Sequence, residues 1–183
     1  MQTRLVPRLA LALGAFFGVF AAHHVAHADM STPVSIDVDY ALPLDQQGVD
    51  SGAGGQLRFG PRLDLAILSL DAELGLGAHA FSGTDAPTAY RGVVGARLGL
   101  GFLLRPSVFA HIGVGHLERS IAPDLTHATA DVGVALDLTI LPIIDLGAHA
   151  AYNTIVGNDT VDPYSYAVIG GHITFFFEDR KDD

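Results

Sequence analysis

The sequence predicts an all-β fold, an eight-stranded antiparallel up-and-down transmembrane β-barrel that follows a cleaved signal peptide. Period-two alternation of apolar and polar residues recurs along most of the chain, and no window after Ala28 sustains a helical period. Hydrophobic residues make up 49% of the chain, charged residues only 16%, and 21 residues are glycine. This composition is unusual for a helical soluble protein. The links between the predicted strands are alternately short and long.

The N-terminal residues have the composition of a secretory signal peptide. Two arginines, Arg4 and Arg8, precede a short apolar run, and an Ala-His-Ala cleavage site ends at Ala28. The run is short for a membrane span of about 20 residues, so we expect cleavage after Ala28 instead of a retained anchor. The predicted domains are the signal peptide, 1–28, and one outer-membrane barrel, 29–183.

Charge and cysteine content exclude several classes of function. The formal net charge is −10, whereas nucleic-acid binding needs an excess of Lys and Arg. The chain has no cysteine, which excludes disulfides, thiolate catalysis and Cys-based zinc sites. No phosphate-binding Gly-rich loop, His-Glu-x-x-His zinc motif or nucleophile elbow occurs in the sequence.

Eight segments each have one mostly apolar face and one face of polar residues or glycine. From Leu70 to Ala80 the even positions are apolar, and the odd positions carry Asp71, Glu73, His79 or glycine. Such alternation is typical of a strand with an apolar and a polar face. The predicted strands are 34–42, 56–67, 70–81, 90–102, 107–119, 128–140, 144–154 and 164–177.

The links between these strands are of two kinds. Links after strands two, four and six are short and lie near Ser69, at Arg105-Pro106 and at Pro142-Ile143. The other links are longer and rich in Gly, Pro, Asp, Asn or Thr. Short turns at one end, long polar loops at the other and an even strand count are typical of outer-membrane barrels. The predicted long loops are 45–55, 82–89, 121–127 and 156–163.

Alternation does not separate a membrane barrel from a soluble, lipocalin-like barrel, because both show it. The position of aromatic residues distinguishes the two. On the apolar faces, tyrosines lie near the long loops and phenylalanines lie near the opposite end. Aromatic belts of this kind mark the two interfaces of a bilayer. The predicted belt residues are Tyr40, Tyr90, Phe102, Tyr152, Phe175 and Phe177.

The last strand carries the clearest local motif, Gly-Gly-His-Ile-Thr-Phe-Phe-Phe over 170–177. It looks like the aromatic-ended last strand that the barrel-assembly machinery recognises, and the mature chain resembles the OmpA/OmpX-like family of small eight-stranded outer-membrane barrels. A charged segment, 178–183, departs from the family pattern because such chains usually stop at the terminal Phe. The resemblance implies periplasmic termini and loops outside the cell. Its members include structural proteins, adhesins, evasion factors and narrow pores, so the fold does not choose a function.

Charged and imidazole side chains on the polar faces form the main candidate site. The lumen of an eight-stranded barrel is only wide enough for its own side chains, so these groups must pair with each other or with trapped water. A static network that fixes strand register is the favoured interpretation, and a gated ion path is the alternative. The predicted lumen network is Asp37, Asp39, Arg58, Arg62, Asp64, Glu73, Arg91, Arg97, His111, Asp131, Asp137, His149 and His172.

Three of these histidines raise the question of a metal site. His111, His149 and His172 share the inward parity at similar predicted heights, with Asp137 nearby. Imidazoles grouped in this way can bind a metal ion, but hydrogen bonding within a polar lumen is the more common role. We therefore expect no metal and no cofactor.

A second chemical alternative is a lipid-modifying enzyme. His116, Glu118 and Ser120 lie on the outward face near the outer end of one strand, where lipid-modifying barrels place catalytic groups. Residues at i, i+2 and i+4 of a strand point in line without converging, however, and a catalytic triad needs convergence. We therefore expect no enzymatic activity.

Together these observations predict an integral outer-membrane barrel, a non-enzymatic structural or surface-interaction protein with a plugged polar lumen. A narrow ion or small-solute channel and a lipid-modifying outer-membrane enzyme remain the alternatives. The expected partners are outer-membrane lipid, the barrel-assembly machinery through the last strand, and an extracellular partner through the long loops, with no nucleic acid.

Overall fold

The computed structural model describes residues 29–44, 46–84, 86–119, 124–157 and 162–177. The predicted signal peptide, 1–28, and the charged segment, 178–183, lie outside these ranges. No helix in the described part of the chain is long and apolar enough to cross a bilayer. The strands are β1 (Asp29–Ser31), β2 (Pro33–Leu44), β3 (Val49–Phe59), β4 (Arg62–Leu65), β5 (Leu68–Gly83), β6 (Thr88–Leu100), β7 (Leu104–Glu118), β8 (Leu125–Leu141), β9 (Ile144–Ile155) and β10 (Tyr164–Phe176).

These strands form the closed, eight-stranded antiparallel barrel that the sequence predicts. β1 and β2 are two parts of the first barrel strand, and β3 and β4 are two parts of the second. From β5 onward each strand pairs antiparallel with the next along the chain. The barrel closes where β10 pairs with β2, from Ser165 opposite Leu44 to Phe176 opposite Pro33.

The second barrel strand is interrupted where the sequence predicts one continuous segment, 56–67. Gly60 and Pro61 separate β3 from β4. Pro61 has no N–H to donate to a neighbouring strand, although its carbonyl oxygen accepts a hydrogen bond from the N–H of Ala72 at 2.9 Å. A Cβ at Gly60 would collide with the Ala72 carbonyl oxygen, so only glycine permits this close approach.

Three of the four links predicted to be long, which lie at the outer end of the barrel, are shorter than predicted because strands extend into them, whereas 156–163 keeps its predicted bounds. β3 begins at Val49, so most of the predicted loop 45–55 is strand. The glycines in this segment allow β3 to lie close to β5, since a Cβ at Gly52 or Gly54 would collide with the backbone of β5. The predicted loops 82–89 and 121–127 also lose residues to strands at one or both ends.

Arg105 and Pro106 do not form the turn that the sequence predicts. Both belong to β7, opposite Asp137 and Leu136 of β8. The chain reverses instead at 101–103, where Gly101 adopts a φ of 114°, a conformation that favours glycine. As a result, Arg105 is buried inside the barrel.

The barrel has an apolar outer surface and a polar interior, the distribution that a bilayer requires. In β5, Leu74 and Leu76 are 48% and 63% exposed, whereas Asp71 and His79 are 1% and 2% exposed. Most of the predicted belt residues are exposed on the outer surface, and Phe175 is half-buried at the same parity. The exposed belt residues are Tyr40, Tyr90, Phe102, Tyr152 and Phe177.

Candidate functional site

The predicted lumen residues lie inside the barrel, and they meet there from strands that are far apart in sequence. Asp64 is half-buried, and the other predicted members are buried. Asp71, His79, Arg105 and Asp145 are buried with them. We call this set of buried charged and imidazole groups the lumen network.

Arg58 of β3 is the centre of the first part of the network. Its Nε and Nη2 donate to the two carboxylate oxygens of Asp37 at 2.7 and 2.9 Å, and its Nη1 donates to Glu73 Oε1 at 2.7 Å. Arg97 of β6 also approaches Glu73, with Nε 3.3 Å from Oε1. A guanidinium forms such paired, charge-assisted bonds because its planar fork matches a carboxylate.

His111 extends this part of the network across the lumen. Its Nε2 lies 2.9 Å from Glu73 Oε2, and its Nδ1 lies 2.6 Å from Asp131 Oδ1. Arg91 donates to both Asp131 and Asn153. Side chains of β5, β6, β7, β8 and β9 are therefore tied together at one level of the barrel.

Three histidines and two aspartates form a second chain of contacts. Asp137 Oδ1 lies 2.5 Å from His172 Nε2, and the Nδ1 atoms of His172 and His149 face each other at 3.2 Å. His149 Nε2 lies 2.7 Å from Asp39 Oδ1, and His79 Nε2 lies 2.9 Å from Asp39 Oδ2. Arg97 joins the two parts, because its Nη1 lies 3.6 Å from Asp137 Oδ2.

A third group of ion pairs lies toward the end of the barrel where β4 meets β5. Arg62 donates to both carboxylate oxygens of Asp71, and its Nη1 lies 3.7 Å from Asp145 Oδ2. Arg105 Nη1 lies 3.5 Å from the same Asp145 oxygen. The ring of Phe176 packs against this group, with its centroid 5.0 Å from the Arg62 guanidinium carbon.

Each buried histidine of the lumen network lies opposite a glycine on the neighbouring strand. Cross-strand partners lie close enough for a Cβ and a ring to compete for space. A Cβ at Gly147 or Gly95 would collide with the imidazole opposite, and a Cβ at Gly54 would lie 2.6 Å from His79 Cδ2. The pairs are Gly54 with His79, Gly95 with His111, Gly170 with His149 and Gly147 with His172.

We expect Gly147→Ala to destabilise the barrel by about 1–3 kcal/mol, the usual cost of overpacking. The added Cβ would collide with the His172 imidazole and lie 2.7 Å from Asp137 Oδ1, so the contact between those side chains must shift. Gly171→Ala is the matched control, since its nearest contact is 3.5 Å away. Urea unfolding in micelles, followed by circular dichroism because the chain has no tryptophan, should separate the two variants. Equal stabilities would contradict the steric explanation.

An apolar cluster fills the outer end of the lumen, and the sequence analysis missed it. Phe81, Tyr164 and Tyr166 form its centre, with ring centroids 5.3 to 5.9 Å apart. These aromatic residues occupy the inward parity of their strands, which is the signal that would have revealed them. We call the cluster the outer plug; its buried members are Ala41, Phe81, Ala89, Leu117, Leu125, Ile155, Tyr164, Tyr166 and Val168.

The cavities beside the side chains of the lumen network are small. A cavity of about 20 Å³ borders Asp37, His149 and several neighbours, which is room for roughly one water molecule. A second cavity of about 10 Å³ borders Arg58, Arg62 and Asp71. Neither cavity has room for more than about one water molecule, as expected for a barrel whose lumen is filled by its own side chains.

The outward residues that suggested an enzyme have other neighbours. His116 Nδ1 lies 2.7 Å from Thr126 Oγ1, and the His116 ring stacks against Tyr90 with centroids 6.3 Å apart. Glu118 is exposed, and Ser120 lies outside the described residues. The described geometry therefore shows a polar patch beside the outer aromatic belt.

Comparison with known proteins supports the fold. No protein-family model and no curated protein matches the sequence. Neisserial surface protein A is 15% identical with a TM-score of 0.60, over 80% of this chain and 98% of its own. Ail, the attachment invasion locus protein of Yersinia pestis, solved with the heparin analogue sucrose octasulfate, is 12% identical with a TM-score of 0.52, over 82% and 99%.

The outer-membrane enzyme PagL is a third similar structure, 16% identical with a TM-score of 0.50, over 74% of this chain and 97% of its own. A surface protein, an attachment protein and an enzyme thus share this architecture, and a shared fold does not transfer function. The closed eight-stranded barrel and its apolar outer surface agree with these structures. The chain therefore has the fold of small eight-stranded outer-membrane β-barrels, the fold of the OmpA/OmpX-like proteins.

Proposed function

We propose that this protein is a non-conducting, non-enzymatic outer-membrane barrel that serves as a structural or surface-interaction protein. The observation that carries the proposal is the double closure of the lumen by the outer plug and the lumen network. Tyr164 and Tyr166 are 2% and 0% exposed, so the outer end offers no open mouth among the described residues.

The energetics of the lumen network also oppose conduction. An ion crossing the barrel would have to replace contacts such as those of Arg58 with Asp37 and Glu73. Separating buried charge pairs without compensation costs several kcal/mol, and several such groups lie at successive levels. A network of this kind favours one fixed strand register and a rigid barrel.

The outer end carries an acidic surface that suits a cationic partner. Asp50, Asp124 and Asp162 are exposed near the outer ends of their strands, and the chain as a whole has a formal net charge of −10. Like charges at an interface are unfavourable. A polyanion such as the one bound by Ail is therefore a poor ligand for this surface.

Planar-bilayer recordings of the refolded protein test the proposal. We expect insertion without steady unit conductance, because the outer plug and the lumen network each close the lumen. The double variant Phe81→Ala/Tyr166→Ala empties the outer plug but keeps the lumen network, and we expect it to remain closed as well. Steady wild-type channels of uniform size would overturn the proposal in favour of a narrow pore. Conductance in the double variant alone would show that the outer plug is the only effective barrier.

A further inference from the structure

We propose that the lumen of this barrel contains a binding site for one divalent transition-metal ion, best suited to Zn²⁺, formed by His149, His172 and Asp37. One ligand atom from each of these three buried side chains lies within 4.8 Å of the other two. The site differs from the histidine group that the sequence suggested, because both ring nitrogens of His111 already face carboxylates.

The hydrogen bonds of the two imidazoles orient their free nitrogens toward each other. His149 Nε2 contacts Asp39, and His172 Nε2 contacts Asp137. An ionised carboxylate can only accept a hydrogen bond, so each Nε2 carries the proton and donates it. In the neutral tautomers both Nδ1 atoms are then unprotonated, and their lone pairs face each other at 3.2 Å.

Two facing lone pairs repel unless something positive lies between them, and the distance fits a metal ion. Zinc binds imidazole nitrogen at about 2.0–2.1 Å, which puts two nitrogens of a tetrahedral site about 3.3 Å apart. The observed separation is 3.2 Å. Metal-bound histidines also characteristically donate their other ring N–H to a carboxylate, as both His149 and His172 do.

Asp37 and the small cavity beside it supply the remaining positions. The Asp37 carboxylate is oriented by Arg58, and it supplies the oxygen ligand of the group. The cavity of about 20 Å³ borders both Asp37 and His149, so a water molecule can be the fourth ligand. Two imidazoles and one carboxylate favour Zn²⁺ over Mg²⁺ or Ca²⁺, which prefer oxygen ligands.

The charge balance of the lumen independently favours a bound cation. Seven carboxylates are buried among the described residues, but only five arginines are buried with them. Both ring nitrogens of His111 face carboxylates, so this imidazole carries both protons and a positive charge. With the other histidines neutral, one negative charge stays uncompensated, and a bound cation would offset it. The buried acids are Asp37, Asp39, Asp71, Glu73, Asp131, Asp137 and Asp145, and the buried arginines are Arg58, Arg62, Arg91, Arg97 and Arg105.

The position of the site suggests a structural role. Asp37 lies on β2 and His172 lies opposite it on β10, at the seam where the first and last barrel strands meet. His149 adds the adjacent strand β9. An ion bound here would hold the seam together from inside, and it would enter during folding because the outer plug covers the finished lumen.

Metal content after refolding tests the site directly. The protein is refolded into micelles with Zn²⁺, washed with a chelator, passed through a gel-filtration column and analysed by mass spectrometry for metal. We expect one zinc per chain in the wild type and almost none in His149→Gln or His172→Gln. His116→Gln, which removes an outward histidine, is the matched control and should keep its zinc.

Two further measurements keep the test decisive if a histidine variant fails to fold. Asp137→Asn retains all three ligands but weakens the orientation of His172, so zinc affinity should fall roughly 10–100-fold. Refolding with Co²⁺ should give the visible absorption of a tetrahedral site in the wild type. Zinc that is equal in wild type and both histidine variants would overturn the proposal. A wild type without zinc or a cobalt spectrum would overturn it too, leaving a shared proton as the only occupant between the rings.

Discussion

Arg58→Met should destabilise the barrel by about 3–5 kcal/mol, the cost of leaving a buried charge without its partner. Arg58 is 4% exposed and donates three hydrogen bonds to the carboxylates of Asp37 and Glu73. Met fills similar space but cannot donate, so both carboxylates lose charge-assisted bonds that no bulk water can replace. Urea unfolding in micelles, with chelator present in every sample, measures the loss free of any contribution from bound metal.

Two companion variants separate charge from packing. Arg58→Met combined with Asp37→Asn removes the uncompensated charge as well, so part of the lost stability should return. Arg119→Met alters an arginine near the outer end of β7, outside the lumen network, and should change stability by no more than about 0.5 kcal/mol. If the double variant were no more stable than Arg58→Met alone, electrostatic pairing would not be the source of the effect.

Leu136→Arg should destabilise the barrel by about 2–4 kcal/mol, the cost of a lipid-facing cation near the bilayer midplane. Leu136 is 46% exposed on the outer surface. It lies on β8 between Val132 and Leu138. Val132 pairs with Tyr152 of the outer belt, and Leu138 pairs with Leu104 near the inner belt. An arginine there lies between the two belts and must extend along the outer surface to reach either interface.

Ile140→Arg is the matched control for depth. Ile140 has the same outward parity and is 50% exposed, but it lies near the end of β8, so the expected cost is only about 0–1 kcal/mol. Spin labels at 134, 136 and 138 should be lipid-accessible, and labels at 133, 135 and 137 should be shielded. Water-accessible labels at the even positions, or equal costs for the two arginine variants, would show that this face does not contact lipid.

The sequence could predict which side chains enter the lumen, but not which of them meet. Period-two alternation decides the face of each residue along a strand, and it put Asp37, Arg58 and Glu73 inside. Which acid pairs with which arginine depends on strand register and on the tilt of the strands around the barrel. Neither quantity can be read from one strand at a time.

The predictions of loops and turns were wrong where residues typical of loops and turns lie within strands. Glycines at 52–55 resemble a loop in sequence, yet in the barrel they allow β3 to approach β5 closely. Arg105-Pro106 resembles a turn, but the reversal occurs beside Gly101. Phe81, Tyr164 and Tyr166 look like further membrane-facing aromatics until their parity is considered, and parity places them in the outer plug.

By itself the sequence determined the strand number, the apolar outer surface and the polar interior, because alternation, turn residues and aromatic position are local properties of the chain. Only the tertiary structure decided the ion pairs of Arg58, the glycine opposite each buried histidine, and the facing nitrogens of His149 and His172. The contact of His149 with Asp39 depends on closing β2 against β10, which joins the first and last strands of the barrel. Barrel closure fixes the register of every strand, and register decides which buried groups lie within bonding distance.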